Sequence, residues 1–324
     1  MKIKDKVLSI LEKNKGNHIS GSVIAKELHV SRNSIWKAIK QLEEEGHRIS
    51  AVTNKGYCLD LNNEYLSEES IKKYLLIDHL SIKVDKIVDS TNSQLKIKAE
   101  AGAPEGSVLI SEEQTKGRGR MGRSFFSPEK TGIYMSILLR PKISAYEALS
   151  ITTCAAVAVA KAIEKNTNKK AGIKWVNDIF IEDKKVCGIL TEASMNLEGG
   201  GLRYAILGIG INAFSPKDGF PQELEDITTF LFNEDNNYGE CRSKLIADIL
   251  NIFFDYYKDI ENKPFYKDYK DRSIVSGKKI NIIRGDVIEK GIALDIDENF
   301  LLKVKKENGN VEYLNSAEVS IRQI

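Results

Sequence analysis

One run constrains the fold more than any other: Lys116-Gly117-Arg118-Gly119-Arg120-Met121-Gly122-Arg123-Ser124-Phe125-Phe126-Ser127-Pro128. Its G-x-G-x-x-G spacing matches the turn of a dinucleotide-binding sheet, which needs a helix directly after the last glycine and an acidic ribose ligand ~20 residues later. Gly122 is instead followed by Arg-Ser-Phe-Phe-Ser-Pro, then Thr131-Gly132 and a strand-like run from Ile133 to Leu139. No helix fits there, so the doubly wound dinucleotide fold is excluded. What remains is a glycine-loosened loop carrying guanidinium forks, which suit phosphates and carboxylates. Such a loop is expected to order around an anion.

The flanking segments alternate strand and helix. Ile82 to Val88 alternates like a strand and runs into Asp89-Ser90-Thr91-Asn92-Ser93, followed by a helical pattern closing near Gly102. Small polar residues at a helix start are ordinary N-cap chemistry, so alone they imply no function. A second strand, Ser107 to Glu112, leads through Gln114 into the loop. Ser144-Ala145-Tyr146-Glu147 is a capping box opening an Ala-rich helix to about Asn166.

Gly172 to Ile181 reads as one strand, joined through Glu182-Asp183-Lys184 to a second, Lys185 to Glu192. Lys174, Asn177 and Asp178 interrupt the first, which is costly in a buried strand unless they are paired or bind something; a structural ion pair is the plain alternative. Tyr204 to Ile211 carries Gly208 and Gly210 and ends at Asn212. Two glycines inside a strand imply close approach of a ligand or another backbone.

The amino-terminal segment has another character. Ile3, Val7, Ile10 and Leu11 share one helical face; Ser20 caps a second helix with Val23, Ile24 and Leu28 as its buried face. The connector His29-Val30-Ser31 leads into a third helix with Ile35, Trp36, Ile39 and Leu42 at helical spacing. With Ser31 as its cap, that helix offers Arg32, Asn33, Ser34, Lys37 and Lys40 to base edges and phosphates. Ile49 to Val52, a turn at Asn54-Lys55-Gly56 and Tyr57 to Leu59 would form a wing with Lys55 at its tip. Residues 1–63 hold 11 Lys/Arg against 7 Asp/Glu, whereas the rest of the chain is net negative by two. The basic excess is therefore local, as a DNA-reading module requires, although a helical packing unit with a solvated basic face would share it.

Residues 64–70 read as a linker entering a short helix. Leu245 to Ile260 is amphipathic, and Arg242 at its start opposes the helix dipole unless an anion is near. From Ser276 the chain becomes short strands, 279–283, 287–294, 300–304 and 311–314, fitting a small SH3-like β-barrel. The longest apolar run, Ile151 to Ile163, is shorter than the ~20 residues of a bilayer span, so no membrane association is expected. Cys58, Cys154, Cys187 and Cys241 follow no C-x-x-C spacing and are expected as buried thiols of a cytoplasmic protein.

Taken in order, Ser90-Thr91-Asn92, Gln114, G-R-G-R-x-G-R at 117–123, K-W-x-N-D at 174–178, K-x-x-G-I-L at 185–190 and G-I-G-I-N at 208–212 resemble the biotin protein ligase family. The amino-terminal helices add the resemblance to its bifunctional branch, which also represses biotin genes. The resemblance implies an α+β multidomain chain: a winged helix-turn-helix over 1–63, a central mixed α/β ligase domain of class II synthetase-like fold over 64–272, and the SH3-like domain over 273–324. It implies ATP-dependent formation of biotinyl-5′-AMP from biotin and MgATP, then transfer of biotin to a lysine of biotin carboxyl carrier protein.

By the same resemblance, Ser90, Thr91, Asn92, Gln114, Arg118, Gly119, Arg120, Lys185, Gly208 and Gly210 would bind biotin. Arg118, Arg120, Lys174 and Lys185 would serve catalysis, Arg123, Phe125, Asn212 and Arg242 the adenylate, and Asp178 the Mg²⁺. Biotinyl-5′-AMP would act as corepressor, favouring a homodimer on operator DNA. Val176 stands where the family usually has proline, and Phe125 where some members have tryptophan. A sensing repressor without ligation, a lipoate ligase and a ligase whose amino-terminal module only supports catalysis are the rival readings.

Overall fold

The computed structural model describes residues 2–60, 66–195, 201–233, 240–315 and 318–321. The chain divides into two compact units, Met1–Leu76 with Phe232–Asp248, and Ile77–Leu231 with Ile249–Ile324.

The first unit is built on helices α1 (Ile3–Lys13), α2 (Gly21–Glu27) and α3 (Arg32–Glu44), followed by strands β1 (Ile49–Val52) and β2 (Gly56–Leu59). Ser20 and Ser31 cap α2 and α3 by accepting from the Val23 and Ser34 amides at 3.2 and 3.1 Å. The core gathers Val7, Leu8, Ile10, Leu11, Ile24, Ala25, Ile35, Ala38, Ile39 and Leu42 with Leu59 of the wing. Ile3, at the open start of α1, is 42% exposed, and two further residues expected in the core are outside it, Val23 at 52% and Trp36 at 50% exposed. Each of these two sits one residue, a turn of about 100°, from the stripe that does pack, Ile24-Ala25 in α2 and Ile35-Ala38-Ile39-Leu42 in α3. The wing is stitched to the segment before α2 by paired backbone bonds between Ile19 and Tyr57, both 2.9 Å. Only glycine fits at 56, because a Cβ there would lie 2.2 Å from the Ile19 carbonyl oxygen.

Helix α4 (Glu68–Lys72), capped by Ser67, completes this unit together with the start of the helix at Cys241. The Ser70 and Ser243 hydroxyls meet at 2.7 Å. Glu240 takes Lys15 at 2.7 Å and Lys73 at 2.9 Å and accepts from the Tyr74 hydroxyl. The buried Glu12 faces the same carboxylate.

The second unit carries a seven-stranded sheet. Its elements in chain order are β3 (Ser81–Val88), α5 (Thr91–Glu100), β4 (Ser107–Gln114), β5 (Gly132–Leu139), α6 (Leu149–Thr167), β6 (Ala171–Lys174), β7 (Asp178–Ile181), β8 (Lys184–Met195) and β9 (Leu202–Asn212). The sheet order is β3-β4-β5-β9-β8-β7-β6, with β3 and β4 parallel and every other pair antiparallel. β5 is buried at all eight positions, and α6 is buried along almost its whole length, which small Ala side chains make possible. The Ser144–Glu147 capping box is present, although the first turn is a 3-10 segment and α6 proper begins at Leu149.

Gly172 to Ile181 is not one strand. It is a hairpin, β6 and β7, with Lys174 opposite Asp178 and Trp175, Val176 and Asn177 in the turn. The turn is apolar because it is held from outside: the Trp175 indole donates to the Phe300 carbonyl at 2.9 Å and the Tyr269 hydroxyl to the Val176 carbonyl at 3.1 Å. Burial thus comes from the turn's neighbours, which periodicity along the chain does not reveal. The Trp175–Val176 peptide is cis.

Short α7 (Gln222–Glu225), long α8 (Cys241–Tyr257) and α9 (Tyr266–Asp271) follow. The carboxyl-terminal strands are β10 (Lys279–Arg284), β11 (Val287–Ile296), β12 (Leu302–Lys306), β13 (Val311–Leu314) and β14 (Glu318–Ile321), forming an antiparallel sheet in the order β13-β12-β11-β10-β14. The pattern had not picked out β14. Cys58, Cys154 and Cys187 are buried free thiols, whereas Cys241 is only partly buried, contrary to expectation. Among the described residues no helix is long and apolar enough to cross a membrane.

Candidate functional site

The arginine-glycine loop folds back on itself. Gly119 N donates to the Arg123 carbonyl at 2.7 Å, Phe125 N to Gly117 at 2.9 Å and Gln114 N to Ser127 at 3.1 Å. Gly117 is required by packing, since a Cβ would meet the Phe125 carbonyl oxygen at 2.2 Å and Ser127 Oγ at 2.6 Å. This narrow hairpin projects Arg118, Arg120, Arg123 and Phe125 towards Lys185 to Leu190 of β8, and Phe125 also towards Gly210 near the end of β9.

Beneath it lies an inner pocket lined by Ser90, Thr91, Asn92, Gln114, Arg118, Phe125, Tyr134, Gly188, Leu190, Gly208 and Gly210. Ser90 is the α5 cap, so the residues whose bland reading was helix capping do cap a helix and also line the pocket. Gln114 Oε1 accepts from the Thr91 amide at 2.9 Å and its hydroxyl at 3.1 Å, while Nε2 donates to Ser127 at 3.0 Å. The buried Ser136 hydroxyl lies 2.7 Å from Thr91 Oγ1 and 2.6 Å from Asn92 Oδ1, with one proton to share between them. Asn92 Nδ2 donates to Glu192 at 2.9 Å. Sequence reasoning missed Ser127, Ser136 and Glu192. Ser136 had a signal, the one small polar side chain in a strand whose other side chains are aliphatic or aromatic.

The two β9 glycines make room as expected, but for side chains. A Cβ on Gly208 would sit 2.3 Å from Asn92 Oδ1, and one on Gly210 2.6 Å from the Phe125 ring.

An outer pocket adjoins the inner one through Arg118, Phe125, Gly188 and Leu190, and gathers Gly119, Arg120, Arg123, Lys174, Asn177, Asp178 and Lys185. Lys185 pairs with Asp178 at 2.8 Å, and Arg120 donates to Asn177 Oδ1 at 2.7 Å. Asn177 is fixed by donating to the Ile189 carbonyl at 2.9 Å and to Asp178 at 3.0 Å. The Lys174 ammonium stands 5.4 Å from the centre of the Phe180 ring. The ion pair offered as the structural alternative therefore exists, between Asp178 and Lys185, and it lies inside a pocket crowded with cations. Among the described residues no group of three His, Cys, Asp or Glu could hold a metal.

Two expected site residues line neither pocket. Asn212 ends β9 and donates to the Thr229 carbonyl at 3.2 Å, and the buried Arg242 belongs to the first unit. In that unit Ser31, Arg32, Asn33, Lys37 and Lys40 are exposed on one side of α3, Ser34 is half-buried, and Lys55 is exposed at the wing tip. Lys40 is already compensated by Glu43 at 2.6 Å.

Comparison with known proteins accords with this arrangement. Residues 4–58 match an HTH domain, 84–212 the Biotin/lipoate A/B protein ligase family, and 275–322 the Biotin protein ligase C terminal domain. The chain is 36% identical over 313 residues to the bifunctional ligase/repressor BirA of Bacillus spizizenii, and 34% identical to that of Bacillus subtilis, covering 94% of both partners in each case. The solved biotin protein ligase of Aquifex aeolicus in complex with biotin and ATP superposes with a TM-score of 0.62 at 28% identity, covering 75% of this chain and 99% of that one. A helix-turn-helix unit and a ligase sheet in one chain, matched almost end to end, place it in the family of the bifunctional ligase/repressors BirA.

Proposed function

We infer that the protein is an ATP-dependent biotin protein ligase and a transcriptional repressor of biotin genes. The observation that carries the ligase half is the pair of adjoining pockets, one lined by neutral donors and acceptors and the other by cations, sharing Arg118 and Phe125 as a common wall. A ureido ring needs both donors and acceptors in a confined pocket, and Ser90, Thr91, Asn92 and Gln114 supply them. The carboxylate of the same molecule would then emerge at the outer pocket.

There, a biotin carboxylate oxygen attacks the α-phosphorus of MgATP, the bond to the β-phosphate breaks and pyrophosphate leaves. Two anions must be brought together, so fixed positive charge is what the site has to provide. Arg118, Arg120, Arg123, Lys174 and Lys185 line that pocket, which supports giving them this role. Mg²⁺ suits this site as a companion of the nucleotide, because a single carboxylate, Asp178, plus phosphate oxygens is its usual company. In the second step a lysine amine of biotin carboxyl carrier protein attacks the acyl carbon and AMP leaves.

For repression, α3 and the wing would read operator DNA with Arg32, Asn33 and Lys37 as principal contacts and Lys55 on the backbone, as a dimer favoured by biotinyl-5′-AMP. Domain limits of 1–63, 64–272 and 273–324 go with this reading. Biotin-dependent pyrophosphate release tests the ligase half. Arg120→Ala should release the adenylate faster than wild type, and unchanged retention removes the loop from the mechanism. The repressor half predicts an adenylate-dependent gel shift of operator DNA that weakens steeply with salt; Lys37→Ala should lower affinity and flatten the salt dependence by about one unit of slope.

A further inference from the structure

Glu192 lines neither pocket, yet it is bonded to two side chains that do. Its Oε2 accepts from Asn92 Nδ2 at 2.9 Å, whereas the other acceptor of that amide, the Leu190 carbonyl, is at 3.4 Å. Its two oxygens also take the Arg118 guanidinium as a fork, at 3.0 Å to Oε1 and 3.2 Å to Oε2. One carboxylate on β8 therefore holds the start of α5 and the arginine-glycine loop together.

The two links differ in kind. Asn92 is 5% exposed, and an ionised carboxylate can only accept, so the amide must turn its NH₂ to Glu192 and its oxygen to Ser136 and the pocket. The Arg118 side chain is 46% exposed, and an ion pair that open to water is weakly held and easily exchanged for another anion. A ligand carboxylate or phosphate entering beside Arg118 competes for its guanidinium without disturbing Asn92.

We propose that Glu192 is a positioning residue for the acid-binding pocket: it sets the orientation of the Asn92 amide and parks Arg118 until a ligand anion takes it over. This deepens the biotin-adenylating reading above and rests on it.

The test is biotin-dependent ATP–pyrophosphate exchange by the full-length protein, comparing wild type, Glu192→Gln, Asn92→Asp and the double variant. Glu192→Gln should raise KM for biotin about tenfold, the scale of one lost charge-assisted hydrogen bond, with a much smaller change in kcat. Asn92→Asp, which opposes two carboxylates, should be worse. Adding Glu192→Gln to it should restore binding by about tenfold, because a Gln amide can donate to the new Asp. A purely structural role would not yield that rescue. Wild-type KM in Glu192→Gln, or strictly additive losses in the double variant, overturns the proposal while leaving the ligase reading intact. Absence of biotin-dependent exchange in wild type overturns both. Should Asn92→Asp fail to fold, the KM-against-kcat split of Glu192→Gln decides alone.

Discussion

At Gly208 a single methyl group separates a working pocket from a blocked one. The added carbon would stand 2.3 Å from Asn92 Oδ1, so Asn92 would have to leave its place between Ser136 and Glu192. Gly208→Ala is therefore expected to raise KM for biotin at least about tenfold, while KM for ATP stays near wild type. Gly210→Ala should behave otherwise. Its methyl would strike the Phe125 ring at 2.6 Å, and Phe125 borders both pockets, so both KM values should rise. Steady-state kinetics with each substrate varied in turn distinguishes the two. The glycines were legible in the sequence as places of close approach, but what approaches was not, because Asn92 and Phe125 reach them from positions distant in the chain.

Local signals read well wherever the cause is local. The Ser31 cap of α3 is such a case: its hydroxyl accepts from the Ser34 amide at 3.1 Å. Ser31→Ala should cost the first unit about 1 kcal/mol, seen as a lower urea midpoint of that unit, and should weaken operator binding with biotinylation unchanged. Burial imposed from elsewhere reads poorly. Trp175 and Val176 look like strand residues because they are apolar, and they are buried in a turn because Phe300 and Tyr269 receive them. Trp36 looks like core because it neighbours Ile35, yet the core stripe of α3 passes beside it. Replacing the Trp175 indole donor tests the turn: Trp175→Phe keeps the bulk but loses the bond to Phe300, and should misplace Lys174 and Asp178 enough to lower the adenylation rate. Unchanged kinetics would free the outer pocket from dependence on that contact.

On the scale of the whole molecule, the basic excess is confined to residues 1–63, with 11 Lys/Arg against 7 Asp/Glu, and the first unit holds a carboxylate pair that responds to pH. Burial, reinforced by Glu240, pushes the Glu12 carboxyl up to about 7. Glu240 stays ionised, held down at about 2 by Lys15, Tyr74 and Lys73 against its own burial. The two act in opposite directions. Glu12 takes up a proton on folding, so its contribution to stability is complete below its unfolded value near 4.5 and is lost as pH rises through 7. Glu240 contributes above that unfolded value and loses its contribution only as pH falls towards 2. Glu12→Gln should accordingly raise the thermal midpoint at pH 8 more than at pH 5, measured by calorimetry at both. Equal shifts at the two pH values would mean that Glu12 keeps its charge in the folded protein.

That pair also bears on how such a chain can be cut and rejoined. Glu12 comes from the first helix and Lys15 from the turn that follows it, Lys73 and Tyr74 from the segment after α4, and Glu240 from about 170 residues further on, beside Ser243, which meets Ser70. The DNA-reading unit is thus assembled from two stretches of sequence, and the second stretch runs on into a helix whose later turns belong to the other unit. A splice at residue 63 would remove the visible reading head but leave Glu240 without Lys15, an ion pair whose two side chains are each 6% exposed. The head is no interchangeable cassette: a chimera carrying a foreign winged helix would need residues 66–76 and 240–248 from the same donor.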